Sequence, residues 1–302
     1  MAPVPESGKI RTVLIGTDLD NDSEALVRIG SQLARAAGAK VQLVHAFSPP
    51  LGFVSELGAG VDPAVLAAEQ QRCQEALETQ VRAAGIGQDE LVSATVETGA
   101  PHKVLADLAS EGGADLLVIG ATAGGRLHRL LGSTADRVLR RTACPVLVVR
   151  GGLNVPPRKV LAPVDLSPLS AEAFGAGLRL LSEIEGGSAP ELEALFVLGV
   201  VQRQVSPQFT PEQVDRFASD ELKRFVEAHA GTAAERIRQK VRAGNIREEI
   251  LAEIDDFRPD LVLLGTHGVG GFDRFAIGSV AADVAREAPC SVLVVPPAAM
   301  RE

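Results

Sequence analysis

The chain has 302 residues, 46% of them hydrophobic, enough for two domains of ordinary size with real cores. A formal net charge of −9 argues against general binding to nucleic acid or an anionic membrane, because the electrostatic term would be repulsive. Trp and Tyr are absent, so an aromatic ligand ring would need an aliphatic slot. Cys73, Cys144 and Cys290 are too sparse and odd in number for a disulfide framework, which predicts a reducing, cytoplasmic setting. No Cys-x2-Cys pair or His cluster suggests zinc. The opening stretch MAPVPESGKIRT has no apolar core, and no apolar run reaches membrane-spanning length.

In chain order, the first predicted strand is Thr12–Thr17, ending at Asp18. A helix follows from Ser23 to Ala37 and closes at Gly38, a common C-cap residue. Strand Val41–Ala46 and a loop lead to a long helix opening at Pro63, with Asp62 as N-cap and proline at the first helical position. Strand Leu91–Glu97 and helix Pro101–Ser110 come next. Strand Leu116–Ile119, a glycine-containing loop, a helix from Ser133 and strand Pro145–Val149 close the first half.

After Gly151–Pro157, which has turn residues and no apolar period, the same order recurs. Strand Lys159–Val164 precedes a helix capped by Ser167 with Pro168 first. Strand Glu193–Leu198 leads to a helix opening at Pro211, where Thr210 and Gln213 have capping-box spacing. Strand Arg238–Arg242, helix Ile246–Asp256, strand Leu261–Leu264, a loop, helix Ser279–Ala288 and strand Ser291–Val295 finish the chain. The repeat is visible in the letters. Asp18 matches Asp165 at an offset of 147, Leu116–Gly120 matches Leu261–Gly265 at 145, and Cys144–Val149 matches Cys290–Val295 at 146. Alternating strands and helices with near-continuous apolar strands predict an α/β fold, its parallel sheets covered on both faces.

Leu261–Val280 carries the functional signal: LVLLGTHGVGGFDRFAIGSV. An apolar strand runs into Gly265, Gly268, Gly270 and Gly271, then Gly278-Ser279 at a helix start. Glycines permit close backbone approach, and the free N–H groups of a helix start favour an anion. A dinucleotide fingerprint fits less well, since Asp273 stands three residues after Gly270 where that pattern needs glycine.

The spacing Gly265-x2-Gly268-x9-Gly278-Ser279, followed by the last strand CSVLVV, resembles the ATP-binding loop of the universal stress protein family. The resemblance covers residues 9–150 and 157–297 and implies two tandem domains. Each is expected to be a doubly wound five-stranded parallel sheet of the adenine-nucleotide alpha-hydrolase-like type. It implies that Gly265, Thr266, His267, Gly268 and Gly270 wrap ribose and phosphate, and that Gly278, Ser279 and Val280 hold the phosphate tail. Pro163, Val164 and Asp165 match the family's first-strand motif, with Asp165 beside the nucleoside or, alternatively, serving only to organise the next helix. Val164, Val197 and Leu264 are expected to form the adenine slot. The ligand implied is ATP, ADP or AMP, with Mg²⁺ accompanying a triphosphate. The family also pairs its copies through their last strands, which here would be an intramolecular pairing, with a homodimer of the tandem chain beyond it.

The first half departs from the pattern. Gly120 to Ser133 spans 14 residues against 15 for Gly265 to Ser279, and Ala123 stands where Gly268 would. Asp18, Gly120, Gly132 and Ser133 remain, so this half is expected to bind nucleotide weakly or not at all. His267, His128, Arg274, Arg126 and Arg129 read as loop residues that face solvent or reach phosphate, none of them nominated as a catalyst, and Cys144 and Cys290 as inert thiols. No Gly-Lys-Ser/Thr phosphate loop, Ser-Gly-Gly-x-Asp-Ser motif or nucleophile–base pair is present, so no catalytic residue is nominated. Three readings follow: a nucleotide-dependent regulator of stress responses, a nucleotide-free adaptor of the same fold, and a slow ATPase.

Overall fold

The computed structural model describes residues 9–20, 22–48, 63–121, 131–184, 189–199, 210–266 and 277–297. In the N-terminal half these form β1 (Thr12–Thr17), α1 (Ser23–Ala37), β2 (Lys40–Phe47), α2 (Pro63–Ala83), β3 (Leu91–Thr98), α3 (Pro101–Glu111), β4 (Leu116–Gly120), α4 (Ser133–Leu139) and β5 (Val146–Val149). The C-terminal half repeats them as β6 (Lys159–Val164), α5 (Pro168–Ile184), β7 (Glu191–Gly199), α6 (Pro211–His229), β8 (Ile237–Gly244), α7 (Ile246–Phe257), β9 (Leu261–Gly265), α8 (Ser279–Glu287) and β10 (Ser291–Val295). A 3₁₀ turn at Gly231–Arg236, which the sequence reading did not anticipate, precedes β8. The residues expected to cap and wrap lie partly outside the described set: Asp62, His267, Gly268 and Gly270 cannot be placed.

The helices form where capping and patterning agree. In α1, Leu26, Gly30, Leu33 and Ala37 make one buried stripe, and Gly38 ends it with φ 64°, its N–H directed at Ala34 and Arg35 carbonyls. A Cβ at Gly30 would collide with Ile15, and one at the corresponding Gly177 of α5 would collide with Leu263. Both helices therefore lie close on the sheet only because these positions have no side chain. In α6 the reciprocal Thr210–Gln213 capping box is present.

All ten strands join one sheet in the order β3-β2-β1-β4-β5-β10-β9-β6-β7-β8. Each half is a doubly wound set of parallel strands, 3-2-1-4-5 in its own numbering. Among the described residues every pairing is parallel except β5 with β10, where Val146, Leu147 and Val148 face Val294, Leu293 and Val292. A strand that meets its own duplicate across a pseudo-twofold axis must run antiparallel to it. Val148 and Val292 are fully buried on one face and Leu147 and Leu293 are buried on the other, so the seam is buried on both faces. The strands of the two halves therefore point in opposite directions, and their carboxyl ends lie on opposite edges of the sheet.

The core takes in a pair of carboxyl groups. Glu193 on β7 has no exposed surface, sits between Leu161 and Arg238 in register, and has Arg238 Nε 3.1 Å from Oε2. Neither oxygen makes a well-directed hydrogen bond. Across from it on α7, Glu253 accepts Lys240 Nζ and Arg242 Nε, both at 2.6 Å. Burial and then the neighbouring Glu253 push the Glu193 carboxyl up to about 7. Burial also works to raise Glu253, but its bonds from Lys240 and Arg242 outweigh that and hold it below the ordinary value.

A raised folded-state carboxyl binds a proton that the unfolded chain releases, so stability declines as pH climbs from about 4.5 to about 7 and remains lower above that. Glu193→Gln removes this loss. Urea denaturation should show the variant more stable than the parent by about 1–3 kcal/mol at pH 8, with the gain gone at pH 4; equal gains at both pH values would refute the assignment.

Candidate functional site

The carboxyl edge of each half is where its chain turns from strand to helix, and the sequence-predicted site residues gather there. In the N-terminal half a cavity of about 760 Å³ opens at the ends of β1, β4 and β5. Its wall includes Asp18, His45, Gly120, Gly132, Ser133 and Arg150. The four residues that the motif nominated in this half therefore converge on one hollow. Its apolar floor is Val44, Leu105 and Ile119.

Asp18 leaves β1 beside Leu19, whose φ of 65° is unusual for a non-glycine residue. The Asp18 carboxylate accepts from Ser23 Oγ and, at 3.4 Å, from the Asp20 N–H. Asp20 Oδ1 in turn accepts the Ser23 N–H at 2.8 Å and lies 2.8 Å from Ser23 Oγ, whose one proton it shares with Asp18, so Asp20 rather than Asp22 organises the start of α1. Asp18 is exposed as a residue, yet the protein around the concavity desolvates its carboxyl and raises its pKa, with Asp20 adding repulsion. Sequence reasoning missed two members of this wall. His45 Nδ1–H donates to the Thr17 carbonyl at 2.9 Å, which leaves Nε2 as the other ring nitrogen to interact. Arg150 is only 7% exposed, and burial lowers its pKa. His45 lies within β2 and Arg150 directly follows β5, and only the pairing of strands brings them to the cavity that Asp18 lines.

The C-terminal half repeats the turn with small changes. Asp165 follows β6, Leu166 has φ 64°, and Asp165 Oδ1 accepts the Ser167 N–H at 3.0 Å. Ser167 Oγ accepts the Ser170 N–H at 3.1 Å, so Ser167 is the helix cap and Asp165 holds the turn before it. β6 and β9 are parallel neighbours, which brings Asp165 and Gly265 out at the same edge.

Two expectations need correction here. Val164, Val197 and Leu264 do not form one slot. Val164 is in register with Phe196 and packs with it and Leu263 on one face of the sheet, whereas Val197 and Leu264 pack with Leu195 on the other. Side chains alternate across a strand, so Val197 cannot share a face with the partner of Phe196. Pro163, in register with Leu195, belongs to the same side as Val197 and Leu264. Secondly, the Thr266 and Gly278 amides are not available to a ligand. Thr266 N–H donates to Val295 O at 3.3 Å, and Gly278 N–H donates to Thr266 O at 2.6 Å. The N-terminal half closes its loop in the same way, with Ala121 N–H on Val149 O at 3.0 Å and Gly132 N–H on Ala121 O at 2.7 Å.

What an anion would meet lies one residue further on. The first ladder bond of α8 runs from Ala282 N–H to Gly278 O, so the N–H groups of Ser279, Val280 and Ala281 precede the ladder. Ser279 is exposed, Val280 is half-buried, and the first turn carries no acid. In α4 the corresponding amides are those of Ser133, Thr134 and Ala135, but Asp136 stands in the first turn. An acid there opposes a bound anion at the positive end of a helix, and Arg140 at 3.0 Å and Arg286 at 3.4 Å offset part of its charge.

Among the described residues, no group of three or more His, Cys, Asp or Glu side chains is arranged to hold a metal ion. Nor is any described helix long and apolar enough to cross a membrane. A universal stress protein family profile matches the chain twice, at residues 9–150 and 157–296. A universal stress protein of Mycolicibacterium smegmatis is 26% identical over 293 residues, covering 94% of this chain and 97% of that one. Universal stress protein Rv2623 of Mycobacterium tuberculosis is 25% identical over 291 residues, covering 93% and 95%. The fold matches the crystal structure of a universal stress protein from Archaeoglobus fulgidus with a TM-score of 0.65 at 17% identity, covering 96% of this chain and 99% of that one. Two matches of one profile, on two halves that share strand order, loop closure and an aspartate at the same turn, make the conclusion plain: the chain belongs to the universal stress protein family.

Proposed function

We propose that this chain is a cytoplasmic tandem regulator, with domains at 9–150 and 157–297, that binds ATP in its C-terminal half and changes its association with other proteins accordingly. The single observation that carries this reading is the start of α8: three leading amides, an acid-free first turn and an exposed Ser279, at the sheet edge where Asp165 emerges. The triphosphate tail would lie against Ser279, Val280 and Ala281; His267, Gly268 and Gly270, which the family resemblance assigns to the same ligand, lie outside the described residues. Pro163, Val197 and Leu264 would line the base side, with Gly265 allowing close approach and Asp165 accepting from the ribose. Mg²⁺ would be held mostly by phosphate oxygens and water, as that ion prefers.

The N-terminal cavity offers the same plan with weaker electrostatics. Asp18, Asp20 and Asp22 line it, and Asp136 opposes charge at its helix start. A polyphosphate should bind there less tightly than in the C-terminal half. A homodimer of the tandem chain is part of the same proposal.

MgATP should raise the melting temperature of the full chain in proportion to its mass action, about 2.7 kcal/mol at a hundredfold excess over Kd. Ser279→Asp, which sets a carboxylate at the phosphate position while suiting a helix start, should remove most of the C-terminal ATP binding yet leave adenosine binding. No stabilisation of the parent at millimolar ATP would favour the nucleotide-free adaptor.

Asp165 gives a complementary split. Asp165→Ala removes a charged hydrogen-bond acceptor from the nucleoside end, so ATP and adenosine should both weaken about tenfold or more by isothermal calorimetry. If ATP affinity is unchanged, Asp165 serves only its turn.

A further inference from the structure

α7 lies across β6, β7 and β8, on the face of the sheet that holds Leu195 and Val197. Ile250, Ile254 and Phe257 form its buried apolar underside. Glu253 is buried on the same helix, and Glu193 of β7 is buried against it. The two carboxyls lie within hydrogen-bonding reach of each other. Two buried carboxyls this close resist being ionised together, so the pair favours one proton between them. Neither Glu193 oxygen meets a well-directed donor, whereas Glu253 accepts from Lys240 and Arg242. The proton therefore belongs on Glu193, whose O–H donates to the Glu253 carboxylate.

The charges around the pair come from three elements. On β8, Arg242 donates to Glu249 at 3.1 Å, to Glu253 at 2.6 Å and to Asp256, all of α7, and Lys240 Nζ reaches Glu253 at 2.6 Å. Arg238 Nε is 3.1 Å from Glu193, but its side chain is 60% exposed, so water screens its charge. On β6, Leu161 is in register with Glu193, and Lys159 pairs with Glu191 at 3.3 Å. At the first turn of α7, Arg247 Nε donates to Glu287 of α8 at 3.0 Å. Ion pairs thus tie α7 to β8 and α8. To β7 it is joined by apolar contact and by this proton.

We propose that the Glu193–Glu253 pair is a proton latch: with the shared proton in place α7 is closed onto β7, and loss of that proton opens α7 locally while its ion pairs to β8 persist. Burial and the neighbouring Glu253 push the Glu193 carboxyl up to about 7. The closed form keeps its proton below that pH, and the opened, hydrated form releases it. Opening therefore grows as pH rises through about 7. A helix of 12 residues parted from its support is marginal in water, so opening also exposes its amides. The effect reaches the carboxyl edge. Gly244, at φ 157°, stands two residues before Ile246 as Gly99, at φ 152°, stands before Pro101, and Pro101 lines the N-terminal cavity. By that match the first turn of α7 borders the C-terminal site. The opening belongs to the unliganded chain and stands whether or not that site takes ATP.

Hydrogen–deuterium exchange read by mass spectrometry on the full chain without nucleotide, at pH 6 and pH 8 and corrected for the intrinsic rate, tests the latch. Linkage between an ordinary 4.5 and about 7 should make α7 about tenfold less protected at pH 8 than at pH 6. α3 is the internal control, since Gln42 and Leu108 occupy the places of Glu193 and Glu253; its protection should be alike at both pH values. In Glu193→Gln the amide can donate to Glu253 at either pH, so the tenfold difference should vanish. Glu193→Leu, which has nothing to ionise, should abolish it too and serves if the glutamine variant does not fold. Equal protection of α7 in the parent at the two pH values would overturn the latch. A fall that persists in Glu193→Gln would assign the opening to another group and overturn it as well. A fall of the same size in β9 and β10 would mean that the whole half unfolds with pH, and the opening would not be local.

Discussion

The antiparallel pairing of β5 with β10 is the constraint on which the rest of the molecule depends. Val146–Val148 and Val292–Val294 are apolar on both sides, and each alone would be the bare edge of a five-stranded sheet. Such an edge invites uncontrolled pairing; meeting its own duplicate removes it from both halves at once. The same contact inverts one half relative to the other. It therefore puts the two carboxyl edges on opposite sides and the ends of α8 and α4 near the seam. Arg286 reaches Asp136 at 3.4 Å there, and Arg150 reaches the carbonyls of α8. The sites are separate because of the inversion, while the seam ties helices of the two halves together.

Much of the fold was legible because its signals are local. Gly38, Pro63, Pro101, the Thr210–Gln213 box and Pro168 each mark an element end through backbone chemistry that acts within a few residues. The apolar runs gave the strands, and the repeat of Asp18 in Asp165 tied the halves together. The facing of single residues was less legible. Val164 and Val197 are both apolar and both near a strand end, but which side each faces is fixed by register, and register is a relation between strands. The same holds for Gly278, whose amide was expected to meet phosphate. Whether a loop amide is free depends on what closes the loop, here the Thr266 carbonyl. Arg150 and His45 were missed for the same reason, since the residues that give them meaning lie 135 and 28 positions away.

The two halves also show how a duplicated fold can keep a site's frame while its chemistry diverges. Loop closure is identical in kind, Ala121 and Gly132 in one half, Thr266 and Gly278 in the other. The differences are electrostatic. Asp136 stands in the first turn of α4, whereas α8 has no acid there. By strand register His45 corresponds to Phe196, so a polar wall residue in one half is a buried apolar one in the other. The buried Glu193 and Glu253 pair has no counterpart either, since Gln42 and Leu108 stand in the matching places. Such changes alter what a site prefers without altering where it is.

The backbone at the two aspartates argues that the frame itself was kept for a reason. Leu19 and Leu166 both adopt a left-handed conformation, φ 65° and 64°, which costs a branched side chain about 1–2 kcal/mol. A glycine would relieve it, yet both positions carry leucine, and both leucines pack against the core on the Val164 face. The side chain is anchored inward, and the chain can reach that anchor from the strand end only by reversing its handedness. The reversal turns the preceding aspartate outward and lets its carboxylate accept the N–H two residues on, at 3.4 Å in one half and 3.0 Å in the other. An apolar contact thus stabilises a strained turn whose effect is to hold a carboxylate at the sheet edge. The strain is present in the N-terminal half as fully as in the C-terminal one, so the turn that holds the carboxylate at the sheet edge is common to both halves and independent of the loop that follows β4 or β9.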